Sequence, residues 1–560
     1  MRAAPFYLVI ACLAAALAVG MYTPLYTDEV GSKVQLSRVF AEGGRMVWLL
    51  PQCKSAFVQG VPFTWYPGAA LYALLLGHAG LFGIKLAGVG AAVLWLAVGY
   101  ALLSPFGGDR ATRAARFGVF VAAHGFGVAP LLLVMSRAEG VLLSCLAIYT
   151  ALAVRGAFES RRSTAGRAGI VAAFVLVTSV FYFSHSKALL YTPFVLLAAA
   201  LTFPRKRPLW LAVPLLFAVT IAGQTFAQAS RTSQCPEAPR VDGAFAAIAL
   251  KPSLARADPA RFVRTGVTNV LGRGVDVAEG MAFVSEYPAG WLPAVDERDA
   301  RAPVVRAANR VAYSSLYALE LAAVAFALVA PLIARRGRDR RAALLGGAML
   351  VCLVGHVFFM SHWAFYNSPF PLGQLALLAT MGASVVVPWA RARFSLPVAA
   401  VWAGRAAVAA FVLASTLNLA ALLTRLAPTV VRAASREGTA LPGQAASVPP
   451  LHYARERVKI RAHAARCGIR GDGATHLVVD DATFYAFDDL TRPLHLIYVS
   501  DATMWGLDMP GAKNVAFLRS MSTPGIISRC TFFPTALAAR ALRSDDYCCV
   551  GRDALEADAP

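Results

Sequence analysis

Residues 168–203 read AGIVAAFVLVTSVFYFSHSKALLYTPFVLLAAALTF, an apolar run whose most polar stretch is SHSK at 184–187. As a single helix it would measure about 54 Å at 1.5 Å per residue, far more than the roughly 30 Å hydrocarbon core of a bilayer. Arg167 stands before the run, and Arg205, Lys206 and Arg207 stand after it. Basic residues collect on the cytoplasmic side of short loops, so both ends lie on that side and the run must turn back. SHSK then marks the outer turn of a helical hairpin.

The same logic orders the rest of the chain. Helices are expected at about 5–21, 82–103, 117–134 and 141–154, with basic returns at Arg110, Arg113 and Arg116 and at Arg155, Arg161 and Arg162. After the hairpin come helices at about 209–227 and 313–334, the basic loop RRGRDRR at 335–341, a helix ending near Met360, one returning to Arg391 and Arg393, and a last at about 406–424. The fold class is therefore an α-helical polytopic membrane protein with about 11 transmembrane helices. Long outer segments are expected at 22–81 and 228–312. Residues 62–81, PFTWYPGAALYALLLGHAGL, are apolar, but counting them as a span would place every later basic loop outside. They read as an interfacial or re-entrant helix. The preceding GSKVQLSRVFAEGGRMVWLL, at 31–50, reads as amphipathic and surface-lying.

Composition agrees. Of 560 residues, 58% are hydrophobic and 15% charged, where soluble chains carry roughly 25% charged residues. A net charge of +22 would suggest nucleic acid in a soluble protein. Here topology explains the basic loops, and no zinc finger, RNA-binding motif or P-loop is visible. Met1–Gly20 could serve as a signal peptide cleaved near Ala18-Val19-Gly20, but the spans that follow favour an uncleaved first helix oriented by Arg2.

The C-terminal part differs in kind. HLVVDD at 476–481 and LHLIYVSD at 494–501 read as strands, ATFYAFDDLTR between them as a helix, and LPGQAASVPP at 441–450 as a linker. The expected division is a transmembrane module at 1–427 and an extracytoplasmic α/β domain at 428–560. Cys12, Cys145 and Cys352 fall in expected helices, whereas Cys53, Cys235, Cys467, Cys530, Cys548 and Cys549 fall in outer segments. That split suits an oxidising compartment and matches no zinc site. At least one bridge is expected from Cys467 or Cys530 to Cys548 or Cys549.

Several residues can carry chemistry at the outer face. Asp28 and Glu29, in YTDEVG just beyond the first helix, either cap and solvate a helix exit or supply a base to an acceptor hydroxyl. Glu139 and Arg137 share the turn SRAEG; the arginine either pairs with the acid or holds a phosphate. Lys187 either snorkels to the interface or binds a lipid-linked phosphate, with His185 beside it. His362, Trp363, Phe365 and Tyr366 form an aromatic belt or line a lipid or sugar site. Glu320, inside an expected span, has no assigned role. Asp480, Asp481 and Asp501 read as solvated loop acids.

This order of features resembles the GT-C glycosyltransferase superfamily, in particular the protein O-mannosyltransferases and lipid A aminoarabinose transferases. The resemblance covers roughly residues 1–205 and extends more loosely to about 390 through YNSPFP at 366–371. There relatives often carry an arginine-tyrosine pair where this chain has Phe365-Tyr366. The resemblance implies a catalytic acid at Asp28, a second acid in the next outer loop at Glu139 and a lysine in the next hairpin at Lys187. The reading built on it takes Asp28, Glu29 and Glu139 as catalytic, Lys187, Arg137 and His185 as binding the donor phosphate, and His362 and Tyr366 as lining the substrate. Glu29 or Glu139 would orient the acceptor or hold a divalent metal. The implied donor is a monosaccharide on polyprenyl phosphate, and the acceptor a lipid, glycan or protein hydroxyl outside the plasma membrane. A transporter or lipid-linked glycan flippase is the main rival, but it would place ionisable groups near the midplane and show repeated halves. A non-catalytic envelope scaffold is the third reading and needs neither Asp28 nor Lys187.

Reporter fusions check the topology. Fusions after Arg116, Arg162, Arg207, Arg338 and Arg393 should report the cytoplasm, and fusions after Ser55, Asp258 and Gly473 the outside. A cytoplasmic signal from Gly473 would contradict the odd number of crossings.

Overall fold

Backbone amides in hydrocarbon must be bonded within the chain, so long apolar runs fold as helices. The computed structural model shows this. It describes residues 4–23, 25–26, 46–49, 56–59, 67–160, 163–204, 207–232, 250–281, 302–335, 337–360, 368–395, 397–434, 447–448, 453–469, 477–479, 483–487, 495–496, 523–530 and 533–557. Among the described residues, seven helices are long and apolar enough to span: Phe82–Phe106, Thr164–Ser184, Pro208–Ala227, Arg306–Ile333, Gly337–Phe359, Pro369–Arg393 and Val398–Pro428. Shorter apolar helices occupy Ala4–Gly20, Ala138–Val154 and Ser186–Thr202. The chain is an α-helical polytopic membrane protein with a small C-terminal α/β unit.

The 168–203 run does turn back. The Thr164–Ser184 helix ends where His185 becomes extended, and a 3-10 turn at Ser186–Tyr191 leads into the Thr192–Thr202 helix. Tyr182 Oη donates to Thr192 Oγ1 at 3.0 Å. The Phe174 and Phe203 rings meet at 5.2 Å, which requires the two limbs to run side by side.

The expected helix at 117–134 is corrected. The chain is helical over Arg110–Ala122, breaks, and resumes over Ala129–Leu133. Gly125 and Gly127 loosen the break, Gly127 with φ +55°, and Pro130 opens the new helix. His124 repairs it. This fully buried ring bonds the Phe120 carbonyl through Nδ1 at 2.9 Å and accepts from Trp95 Nε1 at 3.1 Å through Nε2. The segment 31–50, expected to lie on the membrane surface, ends as a strand: β2 (Met46–Leu49) pairs antiparallel with β3 (Ala56–Gln59).

The bundle has two chemically different ends. At one, the Phe82–Leu103 helix leaves carbonyls without intrahelical donors. Arginines from three other segments cap them. Arg116 bonds the Leu103 and Gly107 carbonyls, each at 3.2 Å. Arg155 bonds Ala101 and Ser104, and Arg338 bonds Pro105 while its guanidinium lies 5.3 Å over the Phe106 ring. Cations complement a helix C-terminus, so these loops are held as well as charged.

The C-terminal unit packs on the opposite end. Its sheet has the order β6 (His495–Leu496), β5 (Val478–Val479), β7 (Gly525–Arg529), β9 (Tyr547–Gly551), β8 (Leu542–Ser544), the first three parallel and the last two antiparallel. Successive strand residues face opposite sides. Val479, Ile527 and Cys549 pack under the Tyr453–Arg466 helix, while Val478, Ile526 and Cys548 face the other core. Each cysteine then finds a partner on its own face: Cys549 bridges Cys467, and Cys548 bridges Cys530. Both expected strands are present; the expected helix between them is a 3-10 turn at Phe484–Phe487 among the described residues.

Each bridge constrains the unfolded chain and typically contributes about 2–4 kcal/mol to a small core. Maleimide labelling of denatured, unreduced protein should modify Cys12, Cys145 and Cys352 and spare Cys467, Cys530, Cys548 and Cys549. Modification of the latter four before reduction would contradict the pairing.

Candidate functional site

Three expected site residues meet at the end that carries the C-terminal unit. The chain reaches them through the broken helix. Gly88 lies so close to the Val134 carbonyl that a Cβ there would overlap it, which seats the 134–139 turn against the Phe82–Leu103 helix. Tyr72 Oη and Ser136 Oγ are hydrogen-bonded at 2.5 Å. Arg137 is the extended residue before the Ala138–Val154 helix, and Glu139 falls in that helix's first turn, where the dipole favours an acid.

Lys187 arrives from the hairpin turn, 48 residues away in sequence. His185 ends the first limb, and its Nδ1 accepts from the Lys187 backbone amide at 3.0 Å, shaping the turn. Lys187 Nζ donates to Glu139 Oε1 at 2.6 Å, and Arg137 Nε donates to Glu139 Oε2 at 3.3 Å. The Glu139 side chain is only 2% exposed, against 12% for Lys187 and 17% for Arg137. Burying a carboxylate so completely is costly unless it is paired and hydrogen-bonded, and here each oxygen meets its own cation.

Below the turn lies a polar group that sequence reasoning missed. Gln374 Nε2 donates to Tyr191 Oη at 3.0 Å and to the Phe370 carbonyl at 3.2 Å, and Tyr191 Oη lies 3.4 Å from His356 Nδ1. All three side chains are buried. They tie the end of the Lys187 turn to the Gly337–Phe359 and Pro369–Arg393 helices. The available signal was a histidine and a glutamine inside otherwise apolar spans. Lys85 was missed too. It lies fully buried in the first turn of its helix, donating to Thr23 Oγ1 at 3.2 Å, while Thr23 Oγ1 donates to the Gly20 carbonyl at 2.7 Å.

Asp28, Glu29, His362, Trp363, Phe365 and Tyr366 lie outside the described residues, as do Asp480, Asp481 and Asp501. Glu320 is half-buried within the Ala302–Ile333 helix.

Among the described residues, one group has metal-ligand chemistry: His463, Cys467 and Cys549, whose ligand atoms lie within 4.8 Å of one another. Burial, followed by the nearby Arg466, lowers the His463 pKa from its ordinary value. However, Cys467 and Cys549 are bonded to each other, and metal binding by cysteine needs the thiolate. In this oxidised state the group does not fit a metal.

No family model and no curated protein matches the sequence. The structure is similar to that of ArnT from Cupriavidus metallidurans in the apo state, with 13% identity over 98% of this chain and 99% of that one and a TM-score of 0.47. It is also similar to ArnT from the same organism bound to undecaprenyl phosphate, with 13% identity over 97% of each chain and a TM-score of 0.45. A third similar structure is the archaeal oligosaccharyltransferase AglB from Archaeoglobus fulgidus in complex with an inhibitory peptide and a dolichol-phosphate. There the identity is 12% over 93% of this chain and 69% of that one, with a TM-score of 0.44.

The Glu139 cluster makes a stability prediction. Removing one partner of a buried ion pair typically costs about 3–5 kcal/mol, and the partial exposure of both cations places Glu139→Gln at the lower end. Adding Lys187→Met to that variant should cost less than Lys187→Met alone, because no buried Glu139 carboxylate is left to lose its cation. Thermal midpoints of the four proteins in detergent check this; strictly additive losses would contradict the coupling.

Proposed function

We propose that the chain is a membrane glycosyltransferase of the GT-C type. It takes a monosaccharide from polyprenyl phosphate and places it on an acceptor hydroxyl at the extracytoplasmic face. The observation that carries the reading is the meeting of Lys187, Arg137 and Glu139 at the bundle end on which the C-terminal unit packs. By the positive-inside rule the arginine-capped end faces the cytoplasm, so the Glu139 end and the 428–560 domain face out and 1–427 forms the catalytic module.

The residues divide the work. An acceptor oxygen attacks the anomeric carbon, its proton passes to Asp28, and the bond to the phosphate oxygen breaks. The departing polyprenyl phosphate carries the charge, which Lys187 and Arg137 offset with His185 at the same turn. Both Glu139 oxygens already accept from these cations, so Glu139 fixes their direction. Glu29 orients the acceptor or holds a divalent metal, and His362 and Tyr366 line the sugar site.

Asp28→Asn keeps the side chain's shape but removes its capacity to take the proton. Loss of a general base typically lowers rates by about 10²–10⁴. With purified protein, a polyprenyl-phosphate sugar and a permissive acceptor, the variant should insert and bind donor yet transfer almost nothing. Lys187→Ala should weaken donor binding, and Asp481→Asn should behave as wild type. Wild-type transfer by Asp28→Asn would remove the catalytic assignment.

A further inference from the structure

We propose that the C-terminal unit is a clamp that positions the site, resting on the enzyme reading above. Its grip is a strand pair across the whole chain: β1 (Leu25–Tyr26), just beyond the first helix, lies antiparallel to β4 (Ser447–Val448), Leu25 opposite Val448 and Tyr26 opposite Ser447.

A two-residue ladder is marginal alone, and burial holds this one. Leu25 is fully buried in one core with Leu81 and Ile84 from the bundle and Ile460, Ile527 and Tyr547 from the C-terminal unit. A second seat lies at Gly80, whose φ of +54° disfavours other residues and whose missing Cβ leaves room for the Tyr453 hydroxyl. The Cys467–Cys549 bridge closes the same core, with Cys549 fully buried and Cys467 packed against it.

From this seat the constraint reaches the site through described residues. Two residues before the ladder stands Thr23, whose hydroxyl accepts from Lys85. Gly20 and Gly88 both pack on Val134, three residues before Arg137 and five before Glu139. Two residues after Tyr26 in the sequence stands Asp28, the proposed base. Strand pairing sets register as well as proximity, so the ladder selects one placement of Leu25 and Tyr26. The C-terminal unit thus supplies positioning residues, Ser447 and Val448.

Hydrogen–deuterium exchange on the full chain in lipid nanodiscs tests the clamp without any substrate. In S447P/V448P, the lost amide donors should speed exchange over residues 20–26 at least tenfold, with a smaller increase over 132–140 and none over 337–359. Unchanged exchange over 20–26 overturns the clamp. If 337–359 also loosens, the bundle is damaged and Y26C/S447C decides instead. Cα atoms opposite each other in antiparallel strands lie about 4.5–5.5 Å apart, within disulfide reach. This pair should bridge on mild oxidation and slow exchange over 20–26; failure to bridge overturns the clamp. Transfer from a polyprenyl-phosphate sugar, measured on the same samples, should fall at least tenfold in S447P/V448P with donor binding retained. Full transfer despite faster exchange overturns the positioning role. A wild-type protein that transfers no sugar contradicts the enzyme reading instead, and the exchange arm tells the two failures apart.

Discussion

A carboxylate as deeply buried as that of Glu139 can stay charged at the end of a membrane helix only if cations come to it. Two do, and they come from different parts of the chain. Arg137 is local, but Lys187 comes from a hairpin turn 48 residues on, so the pair joins two turns that helix packing alone would leave free to slide. The histidine that shapes the lysine turn and the buried Tyr191, His356 and Gln374 beneath it serve the same end: they fix where the cation points.

The two ends of the bundle use charge differently. Arg116, Arg155 and Arg338 turn theirs to the last carbonyls of one helix and of the turn that follows it, so basic segments hold that end together. At the other end the charges are carried on turns, and a folded unit with its own cores and two disulfides sits over the start of the same helix. One helix, Phe82–Leu103, thus has an arginine cap at its last turn and Lys85 bonded to Thr23 in its first.

Much of this was legible in the residues, and the failures have physical causes. Length and basic flanks identified the hairpin at 168–203, because no single helix of that length fits a bilayer. Lys187 and Glu139 were both singled out, but their pairing is a tertiary fact that two separate turns cannot announce. The break at 123–128 was invisible because glycine, alanine and a single buried histidine are as apolar on average as a helix. Lys85 was passed over as one charge in a long span. The disulfide partners were narrowed correctly to Cys467 or Cys530 with Cys548 or Cys549, but the pairing itself follows from a strand that the sequence reading did not anticipate, on which adjacent cysteines face opposite ways. Strands of two to five residues such as Ser447–Val448 and Gly525–Arg529 carry too little periodicity to be read, and with them the grip of the C-terminal unit on the segment after the first helix stayed hidden. The readings of Asp28, Glu29, His362 and Tyr366 stand on the sequence.

In the proposed reaction a lipid-linked phosphate binds where Lys187 and Arg137 meet Glu139. Photocrosslinking with a polyprenyl phosphate that carries a photoreactive group beside its phosphate, followed by peptide mapping, tests this. Adducts should form on residues 134–140 and 184–192, be lost when unmodified polyprenyl phosphate competes and be weakened in Lys187→Ala. Adducts confined to the arginine-capped end, at 101–116 and 335–341, would contradict it.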